Sequence, residues 1–274
     1  MSKKYELTND TVTYNGIVLR RIRALRDLEG VRKGELGGYI QGTGNLSEDG
    51  DAWVCGNARV GGDARVCDNA WVCCNACVYG NACVCGKARV CDNAWVYGNA
   101  CVYGNACVCG KARVYGNACV CDKAWVCGKA RVCGDACVCD KAWVGGNACV
   151  CGKACVCGKA RVCGDACVCD KAWVDGNAWV CGKACVYGNA DYMVFKNTWS
   201  SYRWFTCFRV EGGGLMWSVG CFYGTGKELV EKAYKDSQIS GDCYKAAVQM
   251  AGKIFAVTAK GDKKNADESM SVPR

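Results

Sequence analysis

The chain has 274 residues, a net charge of +9, one proline, no histidine and 29 cysteines. So much cysteine in a small secreted chain would suggest a disulfide scaffold. However, Met1-Ser2-Lys3-Lys4-Tyr5-Glu6 is no apolar signal segment, and no stretch is long and apolar enough to span a membrane. Free thiols in a reducing cytoplasm are therefore expected. The basic excess is spread: 8 basic against 7 acidic groups in residues 1–50, 15 against 10 in 51–190, and 12 against 9 in 191–274. A balance this mild speaks for solubility and disfavours nucleic acid as a partner.

An N-terminal β cap is expected over residues 1–48. Thr11-Val12-Thr13-Tyr14, Asn15-Gly16 and Ile17-Val18-Leu19 predict a hairpin, because Asn-Gly accepts the positive φ of a type I′ turn. Arg20, Arg21, Arg23 and Arg26 then form a solvated edge, with an anion contact as the alternative. Val31 to Ile40, containing Gly34, Gly37 and Gly38, reads as a tight lead-in. Leu46 falls on the alanine step of the segment that follows, and Glu48 stands where a valine belongs. Such irregularity suits a terminal coil that closes a stack.

Residues 49–191 repeat one six-residue phrase. Valine recurs at every sixth position from Val54 to Val186, 23 times, and alanine from Ala52 to Ala190, 24 times. Alternation along a strand turns each valine to one face and its two neighbours to the other. Only a packed interior demands one shape so persistently, so valine and alanine point inward. Gly-Asn, Asp-Lys and Gly-Lys pairs supply the bends, since Gly, Asn and Asp tolerate left-handed backbone better than Lys does. With three sides per turn the coil has 18 residues, giving eight coils and a prism roughly 38 Å long at about 4.8 Å per coil.

The aliphatic residue with a small one four positions on, as in Val54 with Ala58 through Val186 with Ala190, resembles the hexapeptide-repeat proteins. The resemblance implies a mainly β fold: a left-handed parallel β-helix with an N-terminal β cap and a small C-terminal α+β unit. The three-sided section and its hand come from that resemblance. The ends narrow it. Arg21-Ile22-Arg23-Ala24-Leu25-Arg26-Asp27, Gly34-Glu35-Leu36-Gly37-Gly38-Tyr39-Ile40 and Gly44-Asn45-Leu46-Ser47 resemble the N-terminal region of YdcK-like bacterial and phage proteins. Phe205-Thr206-Cys207-Phe208 and Gly220-Cys221-Phe222-Tyr223-Gly224-Thr225 are similar to the C-terminal unit of phage and gut-bacterial members. Relatives often carry a His between the two helices. Here the segment is Ser237-Gln238-Ile239-Ser240, which leaves any role of that His in doubt for this chain.

The C-terminal unit, residues 192–258, reads as ββαα. Trp204 to Val210 and Leu215 to Phe222 form a hairpin around Glu211-Gly212-Gly213-Gly214. Thr225-Gly226-Lys227-Glu228 is a capping box. A second helix is expected from Asp242 to Phe255, with Tyr244, Ala247, Val248, Ala251 and Phe255 on one side. A disordered tail is expected over 259–274.

An 18-residue coil sorts the free positions into columns. One stacks Trp53, Trp71, Arg89, Cys107, Trp125, Trp143, Arg161 and Trp179. The next stacks Arg59, Cys77, Trp95, Arg113, Arg131, Cys149, Cys167 and Cys185, beside a Tyr79, Tyr97, Tyr115 ladder. The third aligns Cys83, Cys101, Cys119, Cys137 and Cys155, flanked by Cys85, Cys121, Cys139 and Cys157. The Trp/Arg column is the candidate binding face, with cation–π stacking expected for Arg89 and Arg161 on the tryptophans one coil away. The thiol-rich column is the weaker candidate. Cys is one base change from Tyr, Trp, Arg or Gly, so a drifting DNA repeat yields this palette without selection for thiols.

Catalysis and designed metal binding are both disfavoured. The fold's acyltransferases generally use a His base and a projecting loop, and this chain has neither. Zinc wants converging ligands, whereas alternate strand residues point parallel. Disulfides up the column are disfavoured by a rung spacing of about 4.8 Å against a usual Cβ separation of about 3.8 Å. No catalytic residue, cofactor or metal site is assigned. The expected function is a non-enzymatic binding or structural module that meets an unknown protein or ligand on a flat face. A membrane is not expected and a homo-oligomer is left open. An acyl-CoA-dependent acyltransferase is the alternative. Phage counter-defence by sequestering a ligand or host protein is a further one, without residue-level support.

Overall fold

A computed structural model describes residues 3–270, with side chains described to residue 258. The chain opens with an antiparallel hairpin, β1 (Tyr5–Tyr14) and β2 (Ile17–Ala24), turned by Asn15 at φ 48° and Gly16 at φ 77°. Strand β3 (Leu36–Ile40) pairs antiparallel with β2 and then parallel with the first repeat rung of its face, Tyr39 to Arg59 and Ile40 to Val60. The cap is thus the beginning of one solenoid face.

The repeat forms two-residue rungs stacked into three parallel sheets, of 8 strands from Trp53 to Trp179, 7 from Arg65 to Trp173, and 11 counting the cap strands. The three predicted columns are all present in register. Every repeat valine is fully buried, and the alanines from Ala52 to Ala184 are at most 1% exposed. The first residue of each corner pair up to Gly182 takes the left-handed turn: Gly, or Asp68, Asp92, Asp122, Asp140, Asp170 and Cys74 at φ 57–60°, whereas Gly188 of the last pair is extended. The second residue never needs that conformation, so Lys there carries no strain. Aspartate offsets its own strain with its carboxylate. Asp68, Asp92 and Asp140 accept the N–H of Gly86, Gly110 and Gly158 on the next coil at 2.9, 2.9 and 3.0 Å.

The first coil departs from the expected register. Leu46 pairs with Val66 as Ile40 pairs with Val60, two residues longer than the 18-residue step of later coils. Leu46 therefore fills an inward valine place, not an alanine one, and the extra residues bulge at Ser47–Asp51. No coil stacks beyond it, so no register partner fixes its length. Glu48 in the bulge accepts the Lys4 N–H at 2.6 Å, and the buried Lys4 ammonium donates to the Ala52 carbonyl at 3.1 Å. Burial lowers the Lys4 pKa to about 8 despite the nearby Glu48.

The other end is closed by a four-stranded antiparallel sheet, β4 (Tyr192–Lys196), β5 (Trp204–Arg209), β6 (Leu215–Val219) and β7 (Phe222–Thr225). It has two strands more than the expected hairpin, because Gly220 at φ 58° breaks the long second strand and Tyr192–Lys196 adds an edge. Alternation along β5 joins the two parts of the molecule. Phe208 packs into the solenoid core, while Phe205 and Cys207 pack with Trp217 against the helices. Helix α1 (Gly226–Asp236) starts at the expected capping box, with the Glu228 N–H donating to Thr225 Oγ1 and the Thr225 N–H to Glu228 Oε2. Helix α2 (Gln238–Met270) begins four residues before Asp242. Its backbone runs through the first part of the expected tail, whose side chains, with residues 271–274 entire, lie outside the described residues. No described helix is long and apolar enough to cross a membrane.

Candidate functional site

The Trp/Arg column is one register row, but its members do not share one environment. Trp53 is fully buried under the N-terminal cap, so it belongs to the core and is removed from the binding face. Trp71 is half-buried, with Gly30 of the cap close against its ring. Arg161 lies 5.8 Å from the Trp179 ring centroid, as expected. Arg89 forms no such contact among the described residues, since its neighbour Trp71 is engaged by the cap. At the far end, the Trp179 N–H donates to Thr206 Oγ1 of β5 at 2.9 Å. The open part of the face is the middle: Trp125, 51% exposed, half-buried Trp143, and exposed Arg161.

Each of these indoles is held by a sulfur. Trp125 Nε1–H donates to Cys109 Sγ at 3.0 Å, Trp143 to Cys127 at 3.1 Å and Trp179 to Cys163 at 3.3 Å. On the third face Trp173 does the same to Cys157 at 2.8 Å. The indole at one rung thus reaches back to the thiol that follows the valine of the preceding coil. Hydrogen bonds from Cys181 and the Trp179 indole, with Arg161 nearby, hold the Cys163 thiol down at about 6 against the effect of burial.

A corner row adjoins the open tryptophans. Lys123, Lys141 and Lys159 occupy the second place of three successive corners, one coil apart. Lys123, Trp125, Lys141, Trp143 and Arg161 line a cleft of about 340 Å³. A second cleft of about 510 Å³ runs along the corner past Asp122, Asp140 and the three lysines. These lysines were missed from the sequence. The 18-residue step that aligns the tryptophans aligns them equally, but they lie at corner places that the rung columns do not include.

The thiol-rich row is assembled as expected, with Cys83, Cys101, Cys119, Cys137 and Cys155 on consecutive rungs. The expectation that these thiols do not converge is corrected. Sulfur atoms of Cys119, Cys121 and Cys137 all lie within 4.8 Å of one another, as do those of Cys137, Cys139 and Cys155, and of Cys67, Cys83 and Cys85. Parallel Cα–Cβ bonds do not keep sulfur atoms apart, because χ1 rotation swings Sγ diagonally toward the next rung. Cys101 joins no such group, its flanking place being filled by Tyr103. All 29 thiols are unpaired. Hydrogen bonds from Cys137, Tyr103 and Cys121 hold Cys119 down at about 6, and burial pushes Cys121 up to about 12.

On the second face Tyr97 and Tyr115 stack with centroids 5.0 Å apart and planes 3° from parallel. Tyr79 is turned away from that ladder and packs on Tyr14 of the cap at 5.4 Å. Comparison with protein-family models and with curated proteins finds no match for this chain.

Proposed function

We propose that this protein is a non-enzymatic binding module whose contact surface is the open middle of the Trp face and its lysine corner. The observation that carries the reading is the juxtaposition of Trp125, Trp143 and Arg161 with Lys123 and Lys141 around one cleft. A contact surface gains most from large, well-held aromatic and Arg side chains. Here the indoles are anchored through their N–H groups, so little side-chain entropy is lost on binding. The partner that fits is a protein surface rich in carboxylates. Asp122 and Asp140 alternate with the lysines along the corner, a mixed pattern that suits another protein better than a continuous phosphate backbone.

The reading extends to a left-handed coil, to bacterial or phage origin and to a reducing cytoplasm. Support comes from the Val–Ala step, from the resemblance of the two ends, and from the thiols respectively. Wild type and the Trp125→Ala/Trp143→Ala variant, immobilised and exposed to bacterial lysate, provide the test. Wild type is expected to retain a nuclease-resistant protein partner that the variant releases, and Lys123→Glu/Lys141→Glu is expected to release it too. Equal recovery by all three removes this surface from consideration. Saturable acetyl-CoA binding with an acylated product in mass spectra would overturn the non-enzymatic reading.

A further inference from the structure

The convergent thiols on the third face overlap. Cys137 belongs both to the group with Cys119 and Cys121 and to the group with Cys139 and Cys155. Cys139 is shared again, with Asp140 and Cys157. Six thiols on three successive coils therefore form one continuous ladder, in which Cys137 has partners on the coils before and after it and Cys139 has Cys137 beside it and Cys155 and Cys157 on the coil after. Its limits are built into the sequence. Below it, Tyr103 occupies the flanking place beside Cys101. Above it, Trp173 replaces the rung cysteine and donates its indole N–H to Cys157 Sγ at 2.8 Å.

We propose that the ladder Cys119, Cys121, Cys137, Cys139, Cys155 and Cys157 is a polynuclear site for a soft cation, cuprous copper, with Cys137 and Cys139 as bridging thiolates. Thiolates select soft ions such as Cu(I) over hard ones. A trigonal centre with metal–sulfur bonds of about 2.3 Å needs sulfur atoms about 4 Å apart. The groups already lie within 4.8 Å, so small χ1 adjustments suffice. Tetrahedral zinc wants four ligands around a point. A nearly flat sheet face offers three sulfurs in each of the two groups that share Cys137, with nothing opposite, which suits three-coordinate copper and disfavours zinc; at the Cys157 end the third neighbour is the Asp140 carboxylate.

Each cysteine that becomes a ligand releases one thiol proton to solvent, the bridging Cys137 and Cys139 only one each although they form two Cu–S bonds, with no change in oxidation state at copper or sulfur. Bridging by Cys137 and Cys139 lowers the number of thiolates per metal and hence the negative charge gathered on the face. The corner that follows each flanking cysteine carries a lysine, beside an aspartate in the first two: Cys121-Asp122-Lys123, Cys139-Asp140-Lys141 and Cys157-Gly158-Lys159. The same lysine row thus borders the Trp face on one side and the thiol ladder on the other. The ladder shares no sulfur with the Trp125 and Trp143 hydrogen bonds, so this inference stands apart from the proposed protein contact.

The test is an anaerobic titration of the fully reduced chain with Cu(I) against a chromophoric Cu(I) chelator, with metal count by native mass spectrometry and luminescence as a sign of bridged copper. Wild type is expected to bind more than one Cu(I) cooperatively and to luminesce. Cys137→Ser/Cys139→Ser, which removes only the shared ligands, is expected to lose the luminescence and at least about tenfold in apparent affinity. Cys101→Ser, in the same row but outside the groups, is expected to match wild type. Circular dichroism establishes that each variant keeps its β signal. Equal titrations for the two variants, copper binding without luminescence in wild type, or zinc outcompeting Cu(I) would each overturn the assignment.

Discussion

The Trp143 indole N–H donates to Cys127 Sγ at 3.1 Å, tying together two coils through positions 16 residues apart. The same bond between Trp125 and Cys109, Trp173 and Cys157, and Trp179 and Cys163 makes it a device of the repeat. Cys127→Ala should leave the Trp143 N–H without its acceptor and cost about 0.5–1 kcal/mol, the net worth of an ordinary hydrogen bond. Cys127→Ser, which keeps an acceptor, should cost less. The Trp143 indole proton in heteronuclear NMR and the denaturation midpoint are the two readouts.

The interior is thin, so each valine matters to the coils on either side. Val126 is fully buried between Val108 and Val144 on its face. Val126→Ala removes the equivalent of two methylene groups at about 0.8 kcal/mol each and leaves a cavity that a stacked rung cannot close. A loss of about 2 kcal/mol is expected, read as a lower thermal midpoint. The same substitution in the terminal rung, Val186→Ala, disturbs a neighbouring coil on one side only and should cost less.

Asp92 sits in left-handed backbone at φ 60° and accepts the Gly110 N–H on the next coil at 2.9 Å. Asp92→Ala keeps the strain and loses the bond, and should cost about 1–2 kcal/mol. Asp92→Gly loses the bond but also the strain, so its thermal midpoint should lie well above that of the alanine variant. An alanine variant as stable as wild type would remove the carboxylate from the account of the corner.

The repeat was legible because its period does three jobs at once: it sets the inward face, the corner and the rung register. Hence the alignment of Trp125 with Trp143, and of Cys119 with Cys137, follows from counting. What counting misses depends on contacts outside the period. Trp53 has the same local phrase as Trp125, and only the cap placed over it makes it a core residue. Leu46 drops out of step because no coil beneath it enforces the register. The β4 edge strand Tyr192–Lys196 is preceded only by Gly188-Asn189, which reads as one more corner of the repeat and not as the start of a new sheet. Convergence of the thiols depends on χ1, which no spacing rule specifies.

Cys207 on β5 is fully buried between the sheet and the helices. Burial pushes its thiol up to about 12, with nearby Arg209 acting the other way. The unfolded chain loses this proton near the ordinary value of 9.0. Between there and about 12 the folded state therefore binds more protons than the unfolded one, and stability falls as pH rises. Cys207 thus contributes stability fully present below pH 9 and lost toward pH 12. Cys207→Ala should show a shallower alkaline decline in denaturation midpoint than wild type above pH 9. Parallel declines would mean that other thiols dominate.

Gly145 provides a test of the Trp face that leaves its chemistry intact. It stands where most coils carry a side chain after the valine, and a Cβ there would come within 2.8 Å of Trp143 Cζ2 and 3.3 Å of Cys127 Sγ. Its φ is not in the left-handed region, so alanine is acceptable to the backbone and the conflict is with the indole first and, less severely, with the Cys127 thiol. Gly145→Ala must therefore move the Trp143 ring off its thiol acceptor, reshaping the cleft lined by Trp125, Trp143 and Arg161. The expected result is a displaced Trp143 indole resonance and partner binding weakened about tenfold, with a stability loss near the 0.5–1 kcal/mol of one hydrogen bond. An unshifted resonance would show that the ring accommodates a methyl group in place. A shifted resonance with undiminished binding would mean that the partner does not read the position of Trp143.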